Sequence, residues 1–431
     1  MSLDLSIVEN FISQHHSGIK DGILTRHDRY RILSELREHL DRSLVIHESF
    51  EDNLGTIIQA ARGAESYHGL KELRRRAVSE IQNYFLEEKT VVDVHDLLGS
   101  LRDAVTARVL TLVEKEMEEE GYGAVPVDYC WAAVGSDGRD EHTFVTEQKN
   151  LLVFSEAESS FATDNLRSAC IQYHRKLEAR TKNDVGPKEF LDYYFWLFSE
   201  KVAKRLDFIG FSRSAGGIMP VNEKWRGPLS NWEMRLEEAL NTAEKSIDPM
   251  DLITLADARP IKGSVELLSG VTGKVVDLLR NNETVMKDVT ESVVEMPTAL
   301  GLLGRFRLET TGENGGKFNV RLLGWDPLIM NVRVLSLRQG INETNTVKRI
   351  KALREMNVIA REVEEELTEA YLVFMRLRIT AQIECDGRED LSYVDPQTLD
   401  AEDAFSLRKA MGLVEGLQKY VNELRPLRQA V

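Results

Sequence analysis

Apolar residues recur at helical spacing over most of the chain. Ile32, Leu33, Leu36, Leu40 and Leu44 alternate with charged residues in a 3.6-residue rhythm, which predicts an amphipathic helix. A second such stretch runs from Leu70 to Leu86 through Leu73, Val78, Ile81 and Phe85. A third runs from Val94 to Glu120 through Leu97, Leu98, Leu101, Val105, Val109, Leu112 and Val113. Thr90 to Val94 is β-branched but too short to assign. Gly121-Tyr122-Gly123 and Pro126 then interrupt the rhythm. Trp131 to Val134 and Leu151 to Phe154 are short apolar runs that read as neighbouring buried strands. Phe190 to Leu206 returns to helical spacing, with an aromatic stripe read as core packing. In Leu229-Ser230-Asn231-Trp232, Ser230 or Asn231 is expected to cap a helix with Glu233 in its first turn. An acidic helix is expected to end near Asp248-Pro249, ahead of Leu252 to Gly263.

Beyond residue 263 the pattern is helical again. Leu302 to Phe306, Lys317 to Leu323 and Gly324-Trp325-Asp326-Pro327 form an irregular joint, and a helix follows from Leu328 to Leu337 with Arg333 in it. Asn345-Thr346 is a good N-cap for a helix from Val347. Leu367, Ala370, Tyr371, Phe374, Leu377 and Ala381 make one long apolar face, and Asp395-Pro396 precedes a final helix, Ala401 to Leu424. Three parts follow: an N-terminal helical region (1–90), an α/β core (91–262) and a C-terminal helical domain (263–431). The fold class expected is mainly α with an α+β core.

Composition narrows the function. A net charge of −16 argues against nucleic acid as partner or substrate, because a phosphate backbone calls for a basic surface. The triplet Arg74-Arg75-Arg76 reads as a solvated helix face. No apolar run approaches the roughly 18 residues of a membrane span. The start MSLDLSIVENF lacks the basic flank and apolar centre of a signal peptide. Cys130, Cys170 and Cys385 lie far apart without a CxxC, which fits a reducing compartment and argues against structural zinc. The expectation is a cytoplasmic protein with no membrane contact.

Candidate chemistry concentrates in Val134 to Phe154, VGSDGRDEHTFVTEQKNLLVF. The hydroxyl of Ser136 and the backbone N–H groups of its Gly-flanked turn can form an anion-binding nest. Arg139 can grip a phosphate bidentately, or pair with Glu141 or Asp140 to brace the turn. His142 reads as a surface histidine. Gly270-Val271-Thr272-Gly273-Lys274 looks like part of a P-loop, but two residues rather than four lie between its glycines and Val275 follows the lysine. It is expected to be a turn.

The run Gly135, Ser136, Gly138, Arg139, Glu141, followed by Thr146, Glu147, Gln148, Lys149, Asn150, resembles the nucleotidyltransferases of bacterial signal transduction. These are relatives of the PII-protein uridylyltransferase in the polymerase β superfamily. Their run usually ends Thr-Asp-Gln-Asp-Asn, so Glu147 and Lys149 stand where two aspartates are expected. Gly216-Gly217-Ile218-Met219 and the paired tryptophans Trp225 and Trp232 resemble the family too. So does Asp257-Ala258-Arg259-Pro260, while Asn319-Val320-Arg321 replaces a usual Asp-x-Lys. The resemblance spans roughly residues 91–431. It implies a polymerase β-like fold flanked by N-terminal helices and a C-terminal substrate-binding helical domain. It also implies a nucleoside triphosphate held by Gly135, Ser136, Gly138, Arg139 and Lys149, Mg²⁺ on Glu147 and Asp257 as the catalytic carboxylates, and transfer of a nucleoside monophosphate to a protein partner. Asp257 could be the third carboxylate, or could pair with Arg259 as a structural bridge.

Residues two apart on an extended chain face one side, so an acid-x-acid pair serves one pocket and could hold two ions that clamp a phosphoryl transfer. A charged lysine has donors only and cannot ligate a metal. Lys149 could instead take the cation's place against phosphate, leaving a weakened Mg²⁺ site. Three readings stand: a nucleotide-binding member with a degenerate metal site, an active protein nucleotidyltransferase, and a non-catalytic helical scaffold. The N-terminal helices could sense, dimerise or cap the core.

Overall fold

The computed structural model describes residues 26–157, 161–178, 185–239, 247–300, 306–384 and 392–424. The start MSLDLSIVENF, residues 302–305 and Cys385 lie outside these residues. The chain is mainly helical around a small mixed sheet, as the apolar periodicity predicts. Three helices come first among the described residues: α1 (Arg26–Gly63), α2 (Tyr67–Glu88) and α3 (Val91–Glu119). The stretch left unassigned at Thr90 to Val94 starts α3, because Val91, Val94 and Leu98 continue its buried face. Then come β1 (Tyr129–Ala133), β2 (Asn150–Phe154), α4 (Asp164–Glu178) and α5 (Pro187–Ile209). They are followed by β3 (Arg226–Pro228), α6 (Leu229–Glu238), α7 (Pro249–Leu255) and β4 (Arg259–Gly263).

The sheet order is β3-β2-β1-β4. β1 pairs antiparallel with β2, from Tyr129 opposite Phe154 to Ala133 opposite Asn150, and antiparallel with β4 through a bulge at Trp131/Ala132. β3 runs parallel to β2. Every residue of β1 and β2 is buried, the mark of a sheet covered on both faces. The aromatic stripe of α5 supplies one cover: Phe195 stacks on Phe154 at 4.3 Å between ring centroids, and Phe198 meets Tyr129 and Trp131 edge-on. The helix α8 (Val265–Asn281) also packs on β1, β2 and β4.

α9 (Glu283–Val294), the short pair β5 (Phe318–Asn319) and β6 (Tyr393–Val394), and α10 to α13 complete the chain. These last helices are Asp326–Arg338, Thr346–Glu355, Arg361–Glu384 and Ala401–Glu423. α10 is buried from Pro327 to Leu337, and α9, α11 and α13 pack against it. Asn345 caps α11 as expected, its side chain accepting from the Lys348 N–H at 3.2 Å.

Three local expectations fail. Gly270 to Lys274 is not a turn but the middle of α8, because Leu268, Val271, Val275 and Leu278 form one buried stripe through it. Asp248-Pro249 begins α7 rather than ending a helix: Asp248 accepts from the Met250 N–H and Pro249 takes the first helical position, where no N–H is needed. Pro228, not Ser230 or Asn231, precedes α6, and the Ser230 N–H is answered by Glu156. No described helix is long and apolar enough to cross a membrane.

Candidate functional site

Between β1 and β2 the chain makes a tight turn at 135–141, closed by Arg139 N–H to Gly135 O at 3.1 Å and Glu141 N–H to Ser136 O at 2.9 Å. Gly135 has φ +65°, the left-handed region that favours glycine. Gly138 is required for another reason: a Cβ there would lie 2.1 Å from the carbonyl oxygen of Asp257. The turn thus presses against the segment before β4. Gly138 is behind the turn and does not line the cavity described below.

Under the turn lies a buried ionic centre. Asp257 is fully buried, and Arg349 Nη1 reaches its Oδ1 at 2.9 Å while Arg139 Nη1 and Arg333 Nη2 reach Oδ2 at 2.9 and 2.5 Å. Arg139 also grips Glu141 at 2.7 Å. The other Glu141 oxygen accepts the Thr346 N–H at 2.7 Å, in the first turn of α11, where unpaired N–H groups favour an anion. Burial pushes the Asp257 carboxyl up, but Arg333, Arg349 and Arg139 together outweigh it and hold the group below its usual range. Burial draws the Arg333 guanidinium down to about 9 even with Asp257 beside it. Arg259 pairs with Asp103 and Asp140 instead of Asp257. His142 is not at the surface: it is 1% exposed, lies against Gly99 of α3, and burial holds it well below its ordinary range.

A cavity of about 440 Å³ opens between the turn and the C-terminal helices. The core contributes Gly135, Ser136, Arg139, Glu147 and Lys149; the C-terminal part contributes Arg321, Trp325, Asp326, Arg333 and Arg378. Ile218, Met250, Met296, Ile329 and Met330 make an apolar portion of the wall. Glu147 and Lys149 therefore share a cavity. Gln148 between them turns inward, its Nε2 donating to the carbonyls of Ala203 and Phe211 at 3.0 and 2.6 Å. This is the two-residue alternation of an extended chain, although the pair precedes β2 rather than lying on it. Arg102 of α3 fixes this segment. It donates to the Thr146 hydroxyl and, at 2.7 Å, to the Glu147 carbonyl, with its Nε 2.6 Å from Asp137.

The cations outnumber the carboxylates. Lys149, Arg139, Arg321, Arg333 and Arg378 at the cavity, with Arg349 behind it, make six. Glu147, Asp326, Glu141 and Asp257 make four. Burial, then Arg321, draws Lys149 below its ordinary value, and burial raises Asp326. The guanidiniums of Arg378 and Arg139 lie 4.8 and 5.7 Å from the Trp325 ring centroid, within cation–π range. Arg321 to Trp325 forms a π-helical turn running straight into α10, which aims Arg321, Trp325 and Asp326 at one place.

Two metal ions do not fit these residues. Asp257 is walled in by guanidiniums and absent from the cavity lining, so it and Glu147 are not brought together. Among the described residues no three His, Cys, Asp or Glu side chains meet as a metal site would need. A larger groove of about 1300 Å³ beside α12 and α13 has its arginines paired, Arg354 with Glu364, Arg361 with Glu365 and Arg376 with Asp403, and offers anions little.

A small mixed sheet with a Gly-Ser turn between its first two antiparallel strands, completed by a helical C-terminal unit, is the arrangement expected of a nucleotidyltransferase-like protein. The sequence matches the family described as "Putative nucleotidyltransferase DUF294" over residues 75–180 and 183–246. Over residues 283–424 it matches the "Putative nucleotidyltransferase substrate binding domain". Together these cover more than half of the chain, which belongs to this nucleotidyltransferase family. No curated protein matches it.

Proposed function

We propose that the chain binds a nucleoside triphosphate in the cavity between turn and C-terminal helices, holding the phosphates with side-chain cations rather than with two metal ions. Nucleoside monophosphate transfer to a protein partner is then reduced or absent. The observation that carries this reading is the surplus of cations around one cavity in a chain whose net charge is −16. Ser136 and the turn offer hydroxyl and N–H donors, Lys149 stands beside Glu147 where a metal would otherwise neutralise charge, and Arg321 and Arg378 approach from the opposite wall. The apolar portion by Met250, Met296 and Met330 suits a base and ribose, and a volume of this size is ordinary for a small-molecule site. The family's description of the C-terminal part as substrate-binding agrees with its share of the lining.

The test is calorimetric titration of the four ribonucleoside triphosphates with Mg²⁺ and with EDTA. Binding that persists in EDTA is expected. Binding that requires Mg²⁺ would favour an active transferase using Glu147 for a single ion. Absence of binding in both conditions would leave a helical interaction scaffold. Arg378→Met should weaken binding, since it removes a cation from the wall without touching the Asp257 centre.

A further inference from the structure

The two halves of α1 differ. From His47 onward the helix is tied down: His47 and Phe50 pack on Tyr84 of α2, the latter stacked at 4.3 Å, and Leu54, Ile57 and Ala61 are buried. Towards its N-terminal end the same apolar rhythm continues, but several of its large side chains stay open to solvent. Tyr30, Leu33, Leu44 and Val45 are 74, 64, 57 and 64% exposed, and Leu40 is more than a third exposed. A single exposed leucine is ordinary; a stripe along several turns of one helix marks a contact surface. Charge is also distributed unevenly along this segment. Residues 26–34 carry three arginines against one aspartate, whereas 48–52 hold Glu48, Glu51 and Asp52 and no base.

We propose that this segment is a homodimer interface, in which α1 of one chain lies antiparallel on α1 of a second copy about a two-fold axis near Leu40. A two-fold contact must be self-complementary. Antiparallel pairing meets that condition here: the basic end of each helix faces the acidic end of its partner, while the leucines meet in the middle. Parallel pairing would set like charges side by side. Residues 26–53 give about 42 Å of helix at 1.5 Å per residue, room for four heptads of a two-stranded seam. The inference is independent of the nucleotide reading, because α1 contributes nothing to the cavity.

Sedimentation equilibrium of the full chain should give about 98 kDa, twice the 49.0 kDa of one chain. Leu33→Gln/Leu40→Gln/Leu44→Gln, at exposed helix positions, should leave the circular dichroism unchanged and raise the dimer dissociation constant roughly a hundredfold or more. Arg26→Glu/Arg31→Glu should weaken the dimer at low salt. Adding Glu48→Lys/Glu51→Lys/Asp52→Lys to the same chain should restore it, because both ends are then reversed together. A full chain that stays monomeric across the micromolar range would overturn the proposal, the stripe then being covered within one molecule. A dimer indifferent to the glutamines would also overturn it, and charge reversal without rescue would refute the antiparallel arrangement.

Discussion

Replacing Asp257 by asparagine separates two roles for that carboxylate. It is fully buried between Arg139, Arg333 and Arg349, each within 2.9 Å. Asp257→Asn keeps the volume and removes the charge, leaving three buried guanidiniums with Glu141 as their remaining close carboxylate. Breaking a buried ion pair by removing one partner costs about 3–5 kcal/mol, because the other charge is stranded away from water. Three cations share this carboxylate, which places the variant toward the upper end. Five kcal/mol is roughly 3.7 powers of ten in the unfolding equilibrium, and a urea midpoint lowered by on the order of 1–2 M. Arg349→Met in the same chain should recover part of the loss, since one stranded cation goes with it. Urea unfolding followed by tryptophan fluorescence measures both, and nucleotide titration below the transition reads the site. If Asp257→Asn were as stable as the parent and lost only Mg²⁺-dependent nucleotide binding, the carboxylate would be a metal ligand and the argument for a structural charge centre would fail.

Other perturbations follow from the same geometry. Gly138→Ala sets a methyl 2.1 Å from the Asp257 carbonyl oxygen, and the backbone on both sides must move; a loss of about 3 kcal/mol or more is expected by thermal or urea unfolding. Lys149→Asp should increase Mg²⁺ affinity measured by calorimetry, because positions 147 and 149 share the cavity; unchanged affinity would contradict that placement. His142 is held neutral by burial, with its pKa well below 6.5. The unfolded chain therefore binds the extra proton first, and the stability His142 permits above pH 6.5 is lost as pH falls. From pH 7.5 to 6 its share is roughly 0.8 kcal/mol. Asp137, lifted by burial to about 6, works in the opposite sense between the unfolded aspartate range and pH 6. His142→Leu should therefore flatten the stability profile above pH 6, and an unaltered profile would show that the imidazole takes up its proton equally in the folded and unfolded chain.

What the sequence discloses here is what lies close along the chain. The strands at Trp131 and Leu151, the shared side of Glu147 and Lys149, and the cap at Asn345 all depend on neighbours within a few residues. Arg102, Arg321, Asp326 and Arg378 reach the site from other elements, and helical periodicity records only which face is apolar. The one local cue to Asp326 is the break at Gly324-Trp325-Asp326-Pro327, where a π-helical turn meets the start of α10. His142 reads as a surface residue because its run is polar, yet α3 closes over it where Gly99 leaves room for the ring. The apparent P-loop fragment at Gly270 to Lys274 is helical because its valines continue a buried stripe, which two glycines do not interrupt.

The shared carboxylate under the turn bears on how such a chain can be inherited. Asp257 belongs to the core, while two of its three arginines, and the N–H that holds Glu141, come from α10 and α11. Neither half is electrically complete alone. A recombination that joined this core to a relative's C-terminal half would transmit a working junction only if guanidiniums arrived at the places of Arg333 and Arg349. A change of charge on either side of this centre therefore needs a matching change on the other.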